Sequence, residues 1–174
     1  MKLCFPPFAG LFASGVLLLS LLACQSSQSA RQPTEPVADA PQGQLIEATP
    51  LDQGTHCAIM QRRNLRIQTP EAFTELWREA FSDRYPQPEA PRVDFERYEV
   101  LACFLGTCNN GGHRLRLDGV RLYDETLQTT LTHLAPGPTC MTTDALTYPY
   151  VLVRIPRQEA TEVSFTLNKE IDAC

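Results

Sequence analysis

The chain is poor in several groups that enzyme chemistry commonly draws on. It has one tryptophan, three methionines and three histidines among 174 residues. No glycine-rich loop opens a helix, so no phosphate-cradling turn is present. No serine sits between glycines in a nucleophile elbow; beyond residue 24 the serines are Ser26, Ser27, Ser29, Ser82 and Ser164. Basic residues do not outnumber acidic ones: 15 against 20 give a formal net charge of −5, which argues against nucleic acid or an anionic membrane surface as partner. The apolar run Leu11–Ala23 falls short of the roughly 20 residues needed to span a bilayer. Hydrophobic residues still make up 43% of the chain, enough for one packed domain and too many for disorder.

What is present begins with that run. It follows Lys2, has the length of a signal h-region, and ends in Leu21-Leu22-Ala23-Cys24 before an abrupt change to Gln-Ser-Ser-Gln-Ser. The pattern resembles the lipobox of bacterial lipoproteins, in which a small residue precedes a cysteine that takes a diacylglyceryl group on its thiol. The expectation is a signal peptide at 1–23, a lipidated Cys24 and a permanent membrane anchor, because several acyl chains at about 0.8 kcal/mol per buried methylene hold where one does not. The plainer alternative is an ordinary secretory signal cut at a nearby small residue. Gln25, by resemblance to lipoproteins of two-membrane bacteria, implies delivery to the outer membrane, facing the periplasm. Cleavage before Cys24 would remove Lys2 and no acid, leaving 14 basic against 20 acidic residues.

Residues 25–44 hold no aromatic and one β-branched aliphatic, Val37, among Gln, Ser, Pro and Ala, the composition of a solvated tether. A flexible tether of that length spans about 25 Å. Residues 45–174 then form one domain.

The clearest element of the domain is a helix over about 70–81. Thr69 suits the N-cap, Pro70 the first helical position and Glu71 the positive dipole end. Phe73, Leu76, Trp77, Ala80 and Phe81 then fall on one stripe. Elsewhere the pattern alternates as strands do. Apolar or alternating segments run over Cys57–Met60, Leu65–Ile67, Tyr98–Leu105, His113–Leu122, Leu127–Leu134, Tyr150–Ile155 and Glu162–Leu167. Tyr98–Leu105 is so apolar that it reads as a strand buried on both faces. The fold expected is α+β: a mostly antiparallel sheet of about 5–7 strands with the single amphipathic helix packed on it.

With Cys4 removed and Cys24 lipidated, five cysteines remain for the domain, an odd number facing an oxidising compartment. Cys103 lies in the most apolar strand and reads as a small buried hydrophobe. The favoured bridges are Cys108–Cys140, clipping two turn-rich loops, and Cys57–Cys174, tying down the C-terminal end; the sequence leaves the connectivity open. Cys103, Cys108 and His113 at four-residue gaps match no common zinc pattern, so no metal and no cofactor is expected. Cys108 with His113 could be posed as a thiol nucleophile and base, but the bridge is the stronger reading, and His56 and His133 have ordinary neighbours. Catalysis is unsupported.

One stretch carries a family signature. Residues 100–156 combine an apolar strand ending in Phe104-Leu105-Gly106, a short loop to Gly111-Gly112 and an alternating strand to Val120. A Pro-Gly turn then precedes Ala145-Leu146-Thr147-Tyr148-Pro149-Tyr150, and a Val/Ile strand ends at Ile155-Pro156. This resembles the C-terminal domain of the PrcB family, found in a lipoprotein subunit of a bacterial surface protease complex. Physically, Asn110-Gly111 is a hairpin signal, and Tyr148 before Pro149 must stay extended, with cis or trans undecided. These residues can be simple turn formers. The resemblance implies instead a partner-binding rim of Asn110, Gly111, Gly112, Tyr148, Pro149 and Tyr150, on which Cys108 and Cys140 are a departure that suggests an added clamp. The function so implied is a non-catalytic envelope lipoprotein that binds or stabilises a partner protein, such as an envelope or secreted protease. The alternative is a binding module for a small molecule or envelope polymer, with Tyr148, Tyr150 and Trp77 as stacking surfaces.

Overall fold

The computed structural model describes residues 43–174. The expected signal peptide, Cys24 and all but the last two tether residues lie outside the described residues. Gln44, the last residue of the expected tether, already opens a strand. Eight strands and one helix follow in the order β1 (Gln44–Ile46), β2 (Thr49–Gly54), β3 (Arg63–Ile67), α1 (Pro70–Ala80), β4 (Tyr98–Phe104), β5 (Arg114–Tyr123), β6 (Thr126–Pro136), β7 (Tyr150–Pro156) and β8 (Glu162–Asp172). Among the described residues no helix is long and apolar enough to cross a membrane.

The α+β class and the helix agree with the sequence pattern. Thr69 caps α1, its hydroxyl oxygen accepting from the Ala72 amide at 3.3 Å, and the helix stops at Phe81. Two features differ from expectation. The strands number eight and divide into two four-stranded sheets, β1-β5-β6-β8 and β2-β7-β4-β3. Moreover, β8 joins β6 in parallel over eleven residues, Thr126 beside Glu162 through to Pro136 beside Asp172. Strands β1 and β2 lack an alternating pattern, and Pro50 lies inside the second. The apolar run Cys57–Met60 is no strand. Cys57 and Ile59 plug the helix-side core from a loop held by the Ala58 amide donating to Ala80 O at 2.8 Å.

The layering explains why β4 is so apolar. Its Val100, Ala102 and Phe104 face α1, packing with Phe73, Trp77 and Phe81 and with Tyr150 and Leu152 of β7. Its Leu101 and Cys103 face the other sheet, packing with Val151, Val153 and Ile155 and with Leu115, Val120, Leu127 and Leu131. The expected double-sided burial is present, but an antiparallel sheet achieves it by lying between a helix and a second sheet.

One charge is buried at the end of this layer. Glu99 is fully buried on the face that bears Leu101. Its Oε2 accepts from Arg66 Nε and Gln68 Nε2, both at 2.9 Å. Arg66 spends its remaining donors on the carbonyls of Ala160 and Gln158, at 2.6 and 2.7 Å, so it also fastens the β7–β8 crossover. Removing one member of such a pair strands the other charge in a low-dielectric site, which costs about 3–5 kcal/mol. Arg66→Met is therefore expected to lower the thermal midpoint by about 10 °C or more. The double variant Arg66→Met/Glu99→Leu should recover most of that loss in the same calorimetric scan.

Candidate functional site

The β4–β5 and β6–β7 connections both cross from one sheet to the other, and they do so at the same end. The first runs from Phe104 of β4 to Arg114 of β5, the second from Pro136 of β6 to Tyr150 of β7. Because Phe104 pairs with Tyr150 and Arg114 with Leu134, the two arches lie side by side. They are bonded together. The Cys108 amide donates to Thr147 O at 2.8 Å and the Thr147 amide to Cys108 O at 3.0 Å. Thr147 Oγ1 donates to Asn110 O at 2.9 Å, and the Gly111 amide to Thr143 O at 2.9 Å. Asn110-Gly111 is thus part of an arch between sheets and not a hairpin. The residues of this arch with positive φ are Gly106, at 87°, and Gly112, at 88°, and a Cβ on Gly112 would lie only 3.2 Å from Pro136 and 3.3 Å from Thr142.

The cysteines pair differently from the expected scheme. Cys140 is bridged to Cys174, with Cα atoms 5.8 Å apart, whereas Cys57, Cys103 and Cys108 are free and buried. The parallel β6–β8 register is the reason. It sets Asp172 beside Pro136, so the chain end arrives next to the loop that starts there, and Gly137 N donates to Asp172 O at 3.0 Å. Cys108 is instead held at the far end of that loop by Thr147. Cys57 belongs to the helix-side core, its thiol donating to Tyr148 O at 3.5 Å.

The expected binding residues fare unequally. Asn110, Gly111 and Gly112 lie on the first arch, between the two sheets. Tyr148 is half-buried, Pro149 is buried, and Tyr150 is 2% exposed. The Tyr150 hydroxyl donates to Asp52 Oδ2 at 3.0 Å and accepts from Arg84 at 3.4 Å, and burial pushes it up to about 12. Tyr148–Pro149 is trans, the cis bond being Tyr85–Pro86. Trp77 is also buried, its indole N–H donating to Pro88 O at 2.8 Å. The three aromatics suggested for ligand stacking thus belong to, or border, the core. A cleft of about 400 Å³ opens nearby, lined by Gln53, Gly54 and Thr55 of one sheet and by Arg114, Leu115 and Arg116 of β5. It takes in Tyr150 but neither Trp77 nor Tyr148. Its arginines are engaged with acids, Arg114 with Asp172 and Arg116 with Asp118 and Glu170.

Among polar neighbours, the second arch also exposes two large apolar side chains, and a third lies on the adjoining loop. Met141 is fully exposed, Leu146 is 54% exposed, and Met60 is 56% exposed. Met60 is drawn to the same place because its carbonyl accepts from the Thr107 amide and hydroxyl, both at 3.0 Å. The sequence pattern points to the tyrosines and not to these residues; for Met141 and Leu146 the available signal is a run without strand alternation between the Pro-Gly turn and Thr147.

The arches also gather a cluster of a different kind. Cys108, His113 and His133 each offer a ligand atom, and the three atoms lie within 4.8 Å of one another. Nδ1 of His113 and Nε2 of His133 are 2.9 Å apart. Leu115 pairs with His133, so His113 is its diagonal neighbour on the same face. Burial holds both imidazoles below their ordinary range; Lys169 adds to this in both, and in His133 the other imidazole acts before it. Burial likewise pushes the Cys108 thiol up, the opposite of what activates a thiolate nucleophile. Cys103, grouped with Cys108 and His113 in the sequence, lies instead in the inter-sheet core. His133 takes its place.

Comparison with known proteins bears out the family resemblance. The model of the family described as PrcB C-terminal matches residues 100–156, about a third of the chain. The match runs from β4 to β7 and includes both arches and the three-residue cluster. No curated protein and no solved structure matches the chain.

The bridge between Cys140 and Cys174 closes a loop with a sequence separation of 34. In the chain-entropy relation such a loop contributes roughly 3–4 kcal/mol. Cys174→Ser should therefore lose about that much stability in denaturant unfolding, and added reductant should lower the wild type to the same level without further effect on the variant.

Proposed function

We propose that this protein is a lipid-anchored, non-catalytic envelope component that binds and steadies a partner protein, the partner being a subunit of a protease complex. The observation that carries the reading is the exposure of Met141 and Leu146 on the second arch, with Met60 on the loop bonded to the first, within and beside the segment that matches the PrcB C-terminal family. A lone exposed apolar side chain means little, and the recurrence of such side chains on one loop and its bonded neighbour is what supports a binding surface here. Interfaces concentrate their energy in a few such anchors. The lipobox-like Leu21-Leu22-Ala23-Cys24 supports the anchor, and Gln25 supports an outer-membrane address.

The test is capture from envelope extracts with the full chain as bait. A specific partner with protease activity, or a subunit bound to one, should be recovered. Met141→Asp/Leu146→Asp should reduce recovery at least tenfold while leaving the thermal midpoint nearly unchanged, because fully solvated side chains contribute little to folding. Undiminished capture by that variant, or no specific partner at all, would sink the reading. Separately, Cys24→Ala should move the protein from the membrane fraction to the soluble fraction, checked by fractionation and immunoblot.

A further inference from the structure

The three ligand atoms at the arch end have no role in the proposed binding edge, yet their arrangement is specific. Cys108 comes from the β4–β5 arch, His113 from the last position before β5, and His133 from β6. Two segments far apart in sequence, the first arch and β6, thus converge on one point. Zinc bonds of about 2.0 Å to nitrogen and 2.3 Å to sulfur set edges of roughly 3.3–3.8 Å between tetrahedral donors. The donor atoms here lie within 4.8 Å of one another, with the two ring nitrogens at 2.9 Å, separations of the same order as those edges. The hairpin ladder fixes the histidines, and the Cys108–Thr147 backbone pair fixes the thiol. Two residues beyond Cys108, Asn110 Oδ1 is buried without a hydrogen-bond partner, an uncommon state for an acceptor in a folded protein.

We infer that Cys108, His113 and His133 form a three-ligand site for Zn²⁺, one thiolate and two imidazoles, with the fourth position open to water. One soft and two borderline donors suit Zn²⁺ better than the hard ions that prefer carboxylates and carbonyls. Binding breaks the Cys108 S–H bond and releases that proton to solvent as the Zn–S bond forms. Lys169 stands beside His133 in the β6–β8 register. Its ammonium opposes a second cation there, so its removal strengthens the site.

The experiment uses the full chain, purified in detergent and freed of metal by chelation. Co²⁺ is the spectroscopic probe, and Zn²⁺ displaces it in competition with a chromophoric chelator. One equivalent of Co²⁺ should give intense visible bands of a near-tetrahedral ion and a thiolate charge-transfer band in the near ultraviolet, both erased by Zn²⁺. Cys108→Ser should abolish the charge-transfer band. His133→Gln should weaken Zn²⁺ binding by more than the 10–100-fold typical of losing a mere outer-sphere contact, and Lys169→Gln should tighten it severalfold. Cys57→Ala should change nothing, which separates this thiol from the other free ones. Absence of a thiolate band in the wild type, or stoichiometric Zn²⁺ binding that survives His133→Gln, overturns the inference. If Cys108→Ser fails to fold, the half-buried His133→Gln decides alone.

Discussion

Because β4 and β7 are buried on both faces over most of their length, their apolar residues from Val100 to Phe104 and from Tyr150 to Val153 are each committed to one of two cores. Val100, Ala102 and Phe104 go to the helix; Leu101 and Cys103 go to the second sheet. A slip of one residue would exchange the two sets and force Glu99, with its Arg66 and Gln68 partners, out of its pocket. The register of this pair is therefore pinned from three sides: by the helix stripe, by the facing sheet and by a buried ion pair that tolerates no displacement. The other elements take their positions from it.

That constraint also dictates where the functional end lies. A chain that must place β4 and β7 as antiparallel neighbours in one sheet, and β5 and β6 as antiparallel neighbours in the other, has to cross the sandwich twice at the same end. The family match covers these four strands and their two crossings. The arches are then neighbours by topology, and the hydrogen bonds between Cys108 and Thr147 follow from that closeness. The cluster of Cys108, His113 and His133 arises in the same way, since it lies where the second sheet's central hairpin meets the first arch.

Much of this was legible in the residues. The helix was readable because cap, dipole charge and a five-residue apolar stripe all agree, and local signals that agree are decisive. The strands from β3 to β8 were readable from alternation or continuous apolarity. Their division into two sheets was not, because an apolar strand between a helix and a sheet looks like one between two layers of helices. Cys57–Met60 shows the same limit: apolar runs report burial and say nothing of conformation. The disulfide pairing depended on the parallel β8, and no periodicity distinguishes a parallel edge strand from an antiparallel one. The histidine pair was within reach, since a turn near Asp124, whose φ is 48°, sets His113 and His133 diagonally across a hairpin. Only the fold, however, brings Cys108 to them.

The placement of the disulfide fits the proposed binding edge. Met141 to Leu146 are all exposed, a stretch that in isolation would sample many conformations and lose them on binding. Its two ends are fixed, however. Cys140 is tied covalently to Cys174 at the end of β8, and Thr147 is held to Cys108 by two backbone hydrogen bonds and to Asn110 by a third from its side chain. A loop fastened at both ends has fewer states to surrender, so more of its contact energy appears as affinity. Cys108 and Cys140 thus act on one segment from opposite ends, Cys140 by a covalent bond and Cys108 through its backbone. The price of the arrangement is that Cys108 contributes no bridge, which leaves its thiol available beside two imidazoles.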